Sequence, residues 1–374
     1  MKIYLESIPT YNIAQLYDFF RRTLADIGFW EKTATCNSIL IKPNLLGPYE
    51  PEKAVTTHPL VLEALIILLK EHNREIWLGD SPGGSLPVKY TFDKTGIRAL
   101  AEKHRIQLLN FSQGEVTSHK SGQHTFTTSG YFWQADAVIN VAKYKTHSLM
   151  YYTGVIKNLY GIIPGLKKSD YHRDFADYRA FTTVLSELYR LTREKITLNI
   201  IDGIWGMEGE GPSAGRRRDF GIIMAAEKAS ALDWVAARMM GFRESQLHYI
   251  SQALEMDGIR PADLSLPAAW QGYRFPNVKH KQISLFIKLI SVSPSFLKKI
   301  FARLYRYYPE IGPDCRKCYV CAKSCPVQAI RLDPISEKLV IDQKLCIKCM
   351  CCHELCPYQA VSIKKSLLAR FLIK

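Results

Sequence analysis

Between Cys36 and Cys315 the chain has no cysteine, and nine of its ten fall from Cys315 to Cys356. A disulfide framework, which staples small secreted domains along their whole length, is excluded by that distribution. No run of 18 uncharged apolar residues occurs, so no segment reads as a membrane span. The start, MKIYLESIPTYN, lacks a basic stretch followed by an apolar one, which predicts no secretory signal and a cytoplasmic protein. Neither a G-x-G-x-x-G fingerprint nor a P-loop is present, so dinucleotides and nucleoside triphosphates have no recognisable cradle.

A charge excess is also missing from most of the chain. Of the net charge of +15, Met1–Trp270 carries +2 and Gln271–Lys374 carries +13. A nucleic-acid binder spread over the whole surface is therefore not expected; one basic face is. At 374 residues the chain has room for two or three domains.

What the chain does have is a repeat. CRKCYVCAKSCPVQAI from Cys315 and CIKCMCCHELCPYQAV from Cys346 both read C-x-x-C-x-x-C-x-x-x-C-P. Three thiolates two residues apart on a curled loop reach three irons of one cubane, and the fourth belongs to the other cluster. The expected ligand sets are Cys315, Cys318, Cys321 and Cys356 for one 4Fe–4S cluster, and Cys346, Cys349, Cys352 and Cys325 for a second. Zinc is the competing reading, but zinc sites show paired C-x-x-C elements rather than runs of four. Pro326 and Pro357 suit a first helical turn. RLDPISEKLVID between the runs reads as a β-hairpin. Cys351 is a spare thiol, and Cys36 a small buried hydrophobe. The segment resembles the bacterial-type dicluster ferredoxin over residues 313–364.

Upstream, strand and helix signals alternate. SILIK (38–42), EIWLGD (75–80), RIQLLN, AVINVAK (137–143), ITLNIIDGI (196–204) and FGIIMAA (220–226) read as strands. PLVLEALIILLKEH (59–72), TGIRALAEKH and SALDWVAARMMGF read as helices. Apolar strands separated by helices predict an α/β domain over 1–272, its mostly parallel sheet covered by helices on both faces. A small α+β ferredoxin domain follows at 313–365. Ligands of such sheets bind beyond the carboxyl ends of the strands.

Four successive strand ends carry polar or Gly-rich sequence: Lys42-Pro43-Asn44; Asp80 with Gly83 and Gly84; Lys143, Lys145 and His147 with Lys157, Asn158, Lys167, Lys168 and His172; and Asp202 followed by GMEGEGPSAGRRR. Together the lysines give one rim a positive field, favouring an anionic small molecule. Lys42, Asn44, Asp80, Gly83, Gly84, Lys157 and Asn158 are the candidate binding residues. Lys143, Lys145, His147 and His172 are the candidate catalytic ones, with either histidine a proton donor, a ligand or a structural group. Arg216–Arg218 reads equally as a solvated run, Asp202 as a strand terminator, and Asp233 as a polar anchor of its helix.

KPNLL, TTHPLVLEAL, GDSPGG, NVAKYKTHSLMYYTGVIKNLYGIIPG and IIDGIWGMEGEGPSAG resemble the family called domain of unknown function 362, over roughly residues 36–245. Its members often carry a C-terminal ferredoxin module. The acidic dipeptide usual before its last helix is replaced here by Glu227-Lys228-Ala229-Ser230, while Asp233 is kept. The resemblance implies a fold and a site location, not a reaction.

Residues 273–312 read as a basic amphipathic helical linker, with Phe296, Leu297, Ile300, Phe301, Leu304 and Tyr305 on one face and Lys298, Lys299, Arg303 and Arg306 on the other. It either packs the ferredoxin onto the main domain or touches a membrane surface. The basic tail 366–374 is similar. Three functions are compatible with all this: a reductase passing electrons from the clusters to an anionic substrate, a relay whose α/β domain docks redox partner proteins, or a non-redox ligand-binding domain with structural or sensory clusters.

Overall fold

The computed structural model describes residues 2–264 and 307–366. Strands β1 (Tyr4–Ser7), β2 (Ser38–Lys42), β3 (Glu75–Asp80) and β4 (Gln107–Asn110) are followed by a separate hairpin, β5 (Val116–Ser121) and β6 (His124–Ser129). Then come β7 (Ala137–His147), β8 (Tyr151–Thr153), β9 (Ile196–Glu208) and β10 (Arg216–Ala226). The main sheet has eight strands in the order β1-β10-β9-β7-β2-β3-β4, with β8 paired to β7 off that path. β9, β7, β2, β3 and β4 run parallel, while β1 and β10 pair antiparallel. The mostly parallel sheet read from the sequence is present.

Alternation along the central strand builds two cores. Ile139 and Val141 of β7 face helices Ile13–Asp26 and Pro59–Glu71, meeting Phe19, Phe20, Leu62 and Leu65. Val138, Ala142 and Tyr144 face helices Tyr178–Thr192 and Ala229–Met239, meeting Phe181, Leu185, Leu232 and Val235. Burial of each such side chain stabilises the fold by about 1.5–3 kcal/mol.

Two strands run further than their apolar runs. β7 continues past Lys143 to His147, and β9 past Ile204 to Glu208. Lys143, Lys145, His147 and Asp202 thus sit on strands rather than in loops, and Asp202 does not end its strand. The reason is that polar residues here find buried partners, which an apolar-run criterion cannot register. β10 likewise starts at Arg216, and Arg216 and Arg218 reach Glu208 at 3.1 and 3.0 Å across the ladder. Cys36 is half-buried against the helical core rather than inside it.

The C-terminal module pairs β11 (Tyr307–Ile311) with β14 (Val361–Lys365), and β12 (Ile330–Leu332) with β13 (Leu339–Ile341) in the expected hairpin. The linker reading of 273–312 is corrected at its end: Tyr307–Ile311 is a strand of this module, drawn in by pairing with Val361–Lys365. The amphipathic face at 296–306 and the tail from 367 lie outside the described residues.

Candidate functional site

The two cysteine runs fold alike. Lys317 and Tyr319 in the first, Lys348 and Met350 in the second, all have positive φ, as do Gln328 and Gln359 after the fourth cysteine of each. Left-handed residues between the cysteines curl each loop inward, which is unusual for side chains of this size. The thiols fall mainly into two neighbourhoods, with Cys352 also feeling Cys321 of the other set. Cys321 feels Cys356, Cys315 and Cys318, whereas Cys346 feels Cys349 and Cys325. Backbone N–H groups of Ala329, Lys348 and Ala360 donate to the sulfurs of Cys325, Cys346 and Cys356 at 3.3, 3.4 and 3.3 Å. Among the described residues no three His, Cys, Asp or Glu side chains converge on one ion position. That fits a cubane, where each thiolate takes a different iron, better than zinc. The donor set, its sorting and its N–H···S bonds all suit 4Fe–4S clusters held by the eight expected cysteines. Cys351 is buried beside Cys349 and Cys352, outside both sets.

On the α/β side, the parallel strand ends line up side by side. Lys42 on β2 pairs with Asp80 on β3 at 2.8 Å, both fully buried. Asp80 also accepts from the Leu45 N–H at 2.9 Å. Gly161 packs over this pair, where a Cβ would lie 2.2 Å from Asp80 Oδ1. Lys143 on β7 pairs with Asp202 on β9 at 2.8 Å and donates to the Tyr11 hydroxyl, also at 2.8 Å. Tyr11 donates in turn to Asp202 at 2.7 Å and stacks on His58 with ring centroids 3.6 Å apart. Lys145 donates to Asn44 Oδ1 at 2.8 Å and to the Val55 carbonyl at 2.6 Å.

A row of amides crosses the same region. Asn44 donates to Asn158 at 3.1 Å, Asn158 to Asn140 at 2.8 Å, Asn140 to Asn199 at 3.0 Å, and Asn199 to the Glu227 carbonyl at 2.9 Å. Asp233 anchors the far side, accepting from the N–H groups of Val155 and Ile156 at 2.8 and 2.9 Å. Burial raises its carboxyl to about 7.

The cysteine module sits on these strand ends. Tyr49 donates to the Cys356 carbonyl at 3.1 Å, Ser213 to the Glu354 carbonyl at 2.7 Å, and Gln359 back to the Ser213 carbonyl at 2.7 Å. Gly83 and Gly84, candidate binding residues, also receive the module: a Cβ on Gly83 would lie 2.6 Å from Leu355 Cδ2, and Gly84 has φ +82° and faces Val320, Ser324 and Leu355.

One cavity of ≈ 80 Å³ lies in the seam. A single water needs about 10–15 Å³ by this measure, so there is room for several waters or a small organic molecule. Asn44, Asp80, Lys157, Asn158, Lys168 and His172 line it from the α/β domain, and Cys351, Glu354 and Leu355 from the module. Of the expected residues, the structure brings Asn44, Asp80, Gly83, Gly84, Lys157, Asn158 and His172 to this cavity. Lys42, Lys145 and His147 stand one layer behind it, Lys143 belongs to the separate Asp202–Tyr11 network, and Lys167 is exposed on the surface.

Burial dominates the electrostatics. The rim is not the open positive field that the lysines imply, because Asp80, Asp202 and Glu354 are interleaved with them. Burial pushes Lys168 down to about 7, opposed by Asp80, and lowers Lys157, opposed by Glu354. Burial beside Lys157 drops His172 to about 3. His147 is held well below its ordinary value, and its Nδ1 accepts from the Leu149 and Met150 N–H groups at 3.0 and 3.2 Å. Its one proton is thereby fixed on Nε2, 3.5 Å from Glu354 Oε1. Glu354 itself is raised by burial, against Lys157, His353 and Lys145. Glu354 was not singled out from sequence; its place in a second C-x-x-x-C stretch hid a carboxylate that serves the other domain.

These features define an iron–sulfur protein in which a ferredoxin-like 4Fe–4S module closes over the carboxyl ends of the parallel strands of an α/β domain. Residues 39–238 match the family described as Domain of unknown function (DUF362), and residues 314–360 match the 4Fe-4S dicluster domain. The chain belongs to the DUF362 family. The thylakoid-associated protein sll1697 of Synechocystis sp. is 30% identical over 233 residues, covering 61% of this chain and 71% of that protein.

Proposed function

We propose that the protein is a reductase, in which two 4Fe–4S clusters pass electrons to a small anionic molecule held in the seam cavity. One observation carries the reading: the cavity is walled on one side by the parallel strand ends and on the other by the segment holding Cys352 and Cys356. A ligand there is adjacent to a cluster. Neighbours of ligands of both clusters, Cys351 beside Cys352 and Leu355 beside Cys356, line the cavity. When bound, the clusters would supply single electrons.

The chain's own residues do the rest. Lys157 attracts the anion. Leu355 and Tyr160 help keep bulk water out. His147 and His172 are neutral at ordinary pH, so they orient rather than protonate. Lys168, poised at about 7, is the group suited to deliver a proton. Electrons enter from a redox partner protein through the module's exposed surface, where Tyr319 and Leu345 lie among Arg316, Lys317, Lys344 and Lys348. No nucleic acid takes part. A cytoplasmic location belongs to the same reading; among the described residues no helix is long and apolar enough to cross a membrane. The relative's thylakoid association keeps peripheral membrane contact within it.

The test reduces the full-length protein anaerobically and follows cluster reoxidation with a panel of small anions. The expected result is that some anion accelerates reoxidation in the native protein and not in Lys157→Gln. If no anion does so, or if the variant responds equally, the reductase reading fails.

A further inference from the structure

Of five lysines near the strand ends, Lys42, Lys143 and Lys145 buried and Lys157 and Lys168 half-buried, four have their ammonium satisfied. Asp80 holds Lys42, Asp202 holds Lys143, Asn44 and the Val55 carbonyl hold Lys145, and the Ser81 and Ile163 carbonyls hold Lys168. Lys157 differs. It makes no hydrogen bond or ion pair with any described residue, and its nearest defined contact is the Tyr160 ring, 5.8 Å from centroid to Nζ.

Glu354 faces it from the module. Its Oε1 is buried without a hydrogen bond, and the residue is only 6% exposed. Lys157 and Glu354 feel one another, yet they lie beyond the 4.0 Å of an ion pair, with the cavity lined by both. His172, 5% exposed, adds an unpartnered Nδ1 to the same surroundings. A buried carboxylate oxygen left without a donor is costly, and the half-buried Lys157 ammonium across the cavity is too far away to serve it directly. Leu45, Leu46 and Leu355 give the remaining wall an apolar character, which suits a short carbon skeleton better than an inorganic oxyanion.

We propose that the cavity binds a small carboxylate bearing a hydroxyl group, its carboxylate on Lys157 and its O–H donated to Glu354. The ligand then bridges the two modules and completes the charge pair that the seam leaves open. This deepens the reductase reading by naming the ligand's chemistry, and rests on that reading only for the cavity being the acceptor site.

The test measures binding of lactate, propionate and inorganic phosphate to the oxidised, cluster-bearing full-length protein by calorimetry. Lactate is expected to bind about ten- to a hundredfold more tightly than propionate, as a hydrogen bond to a charged group implies. Lys157→Gln should abolish binding of both acids. Glu354→Gln should bring the lactate-to-propionate affinity ratio to about one. Iron content and thermal midpoint verify that each variant is folded, and the lactate-to-propionate ratio of the native protein needs no variant at all. Equal affinity for the two acids, no binding of either, or unchanged binding in Lys157→Gln would overturn the proposal. Binding of phosphate alone would overturn the organic ligand. Because binding is read without reduction, failure of the whole anion panel to reoxidise the clusters would remove the reductase reading and leave this inference standing.

Discussion

Leu355 of the cysteine module fills the space that a side chain on Gly83 would occupy, its Cδ2 only 2.6 Å from where that Cβ would be. The contact joins two parts of the chain more than 270 residues apart in sequence. Gly83→Val should therefore loosen the module from the strand ends without touching either ligand set. Iron content should stay unchanged while hydrogen exchange in 351–359 rises. Unaltered exchange would mean that the other seam contacts suffice.

The buried Lys143–Asp202 pair sets a second expectation. Removing one charge leaves the other desolvated, so Lys143→Met or Asp202→Leu alone should destabilise the α/β domain by about 3–5 kcal/mol. The double variant should be more stable than either single one. Denaturant titration of all three gives the coupling, and strict additivity would show that the pair is not the unit described.

Gly161→Ala places a methyl group 2.2 Å from Asp80 Oδ1 and 2.5 Å from Lys42 Nζ. Overpacking on a buried ion pair predicts a loss of about 1–3 kcal/mol, more if the pair opens. A midpoint equal to that of the native protein would show that the loop at Gly161 yields freely.

His172 ties stability to pH. Its folded value of about 3 lies below the unfolded 6.5, so between those values the unfolded chain takes up a proton that the native one refuses. Stability should fall as pH drops below about 6.5, by at most about 1.4 kcal/mol per unit for this one group. His172→Phe, still able to stack on Phe181, should flatten that part of the profile. An equal loss of stability in the native protein and His172→Phe between about pH 7 and about pH 5.5, read from urea melts, would refute the assignment.

Cys351 and its neighbour Cys352 should behave differently. Cys352→Ala is expected to lose about half of the iron, since it removes one ligand of one cluster. Cys351→Ala should retain all of it. Iron and sulfide assays on anaerobically prepared protein decide this, and iron loss in Cys351→Ala would make that thiol a ligand.

The cysteine module was almost wholly legible, because cluster chemistry needs fixed spacings that the chain writes out in order. The sheet was legible wherever its strands are apolar, as in Ile39–Ile41 and Ile76–Leu78. It was not legible where β7 and β9 carry Lys143, Lys145 and Asp202, since a buried lysine and an exposed one are the same letter until the partner strand is known. The strand-end location of the cavity followed from the parallel topology. Its other wall did not: Glu354 and Leu355 join the site only through docking of a module whose first strand starts 81 residues after the end of β10.

The four asparagines have a consequence for how the chain folds. Asn44, Asn158, Asn140 and Asn199 each pass a hydrogen bond in the same direction, so each amide has only one orientation that satisfies its neighbours. A strand slipped by one residue would turn its asparagine to the opposite face and strand the amides on either side in an apolar interior. Hydrophobic burial alone would tolerate several alignments of strands this rich in Ile and Val. The amide row tolerates one, and so acts as a proofreading device that disfavours misaligned sheets.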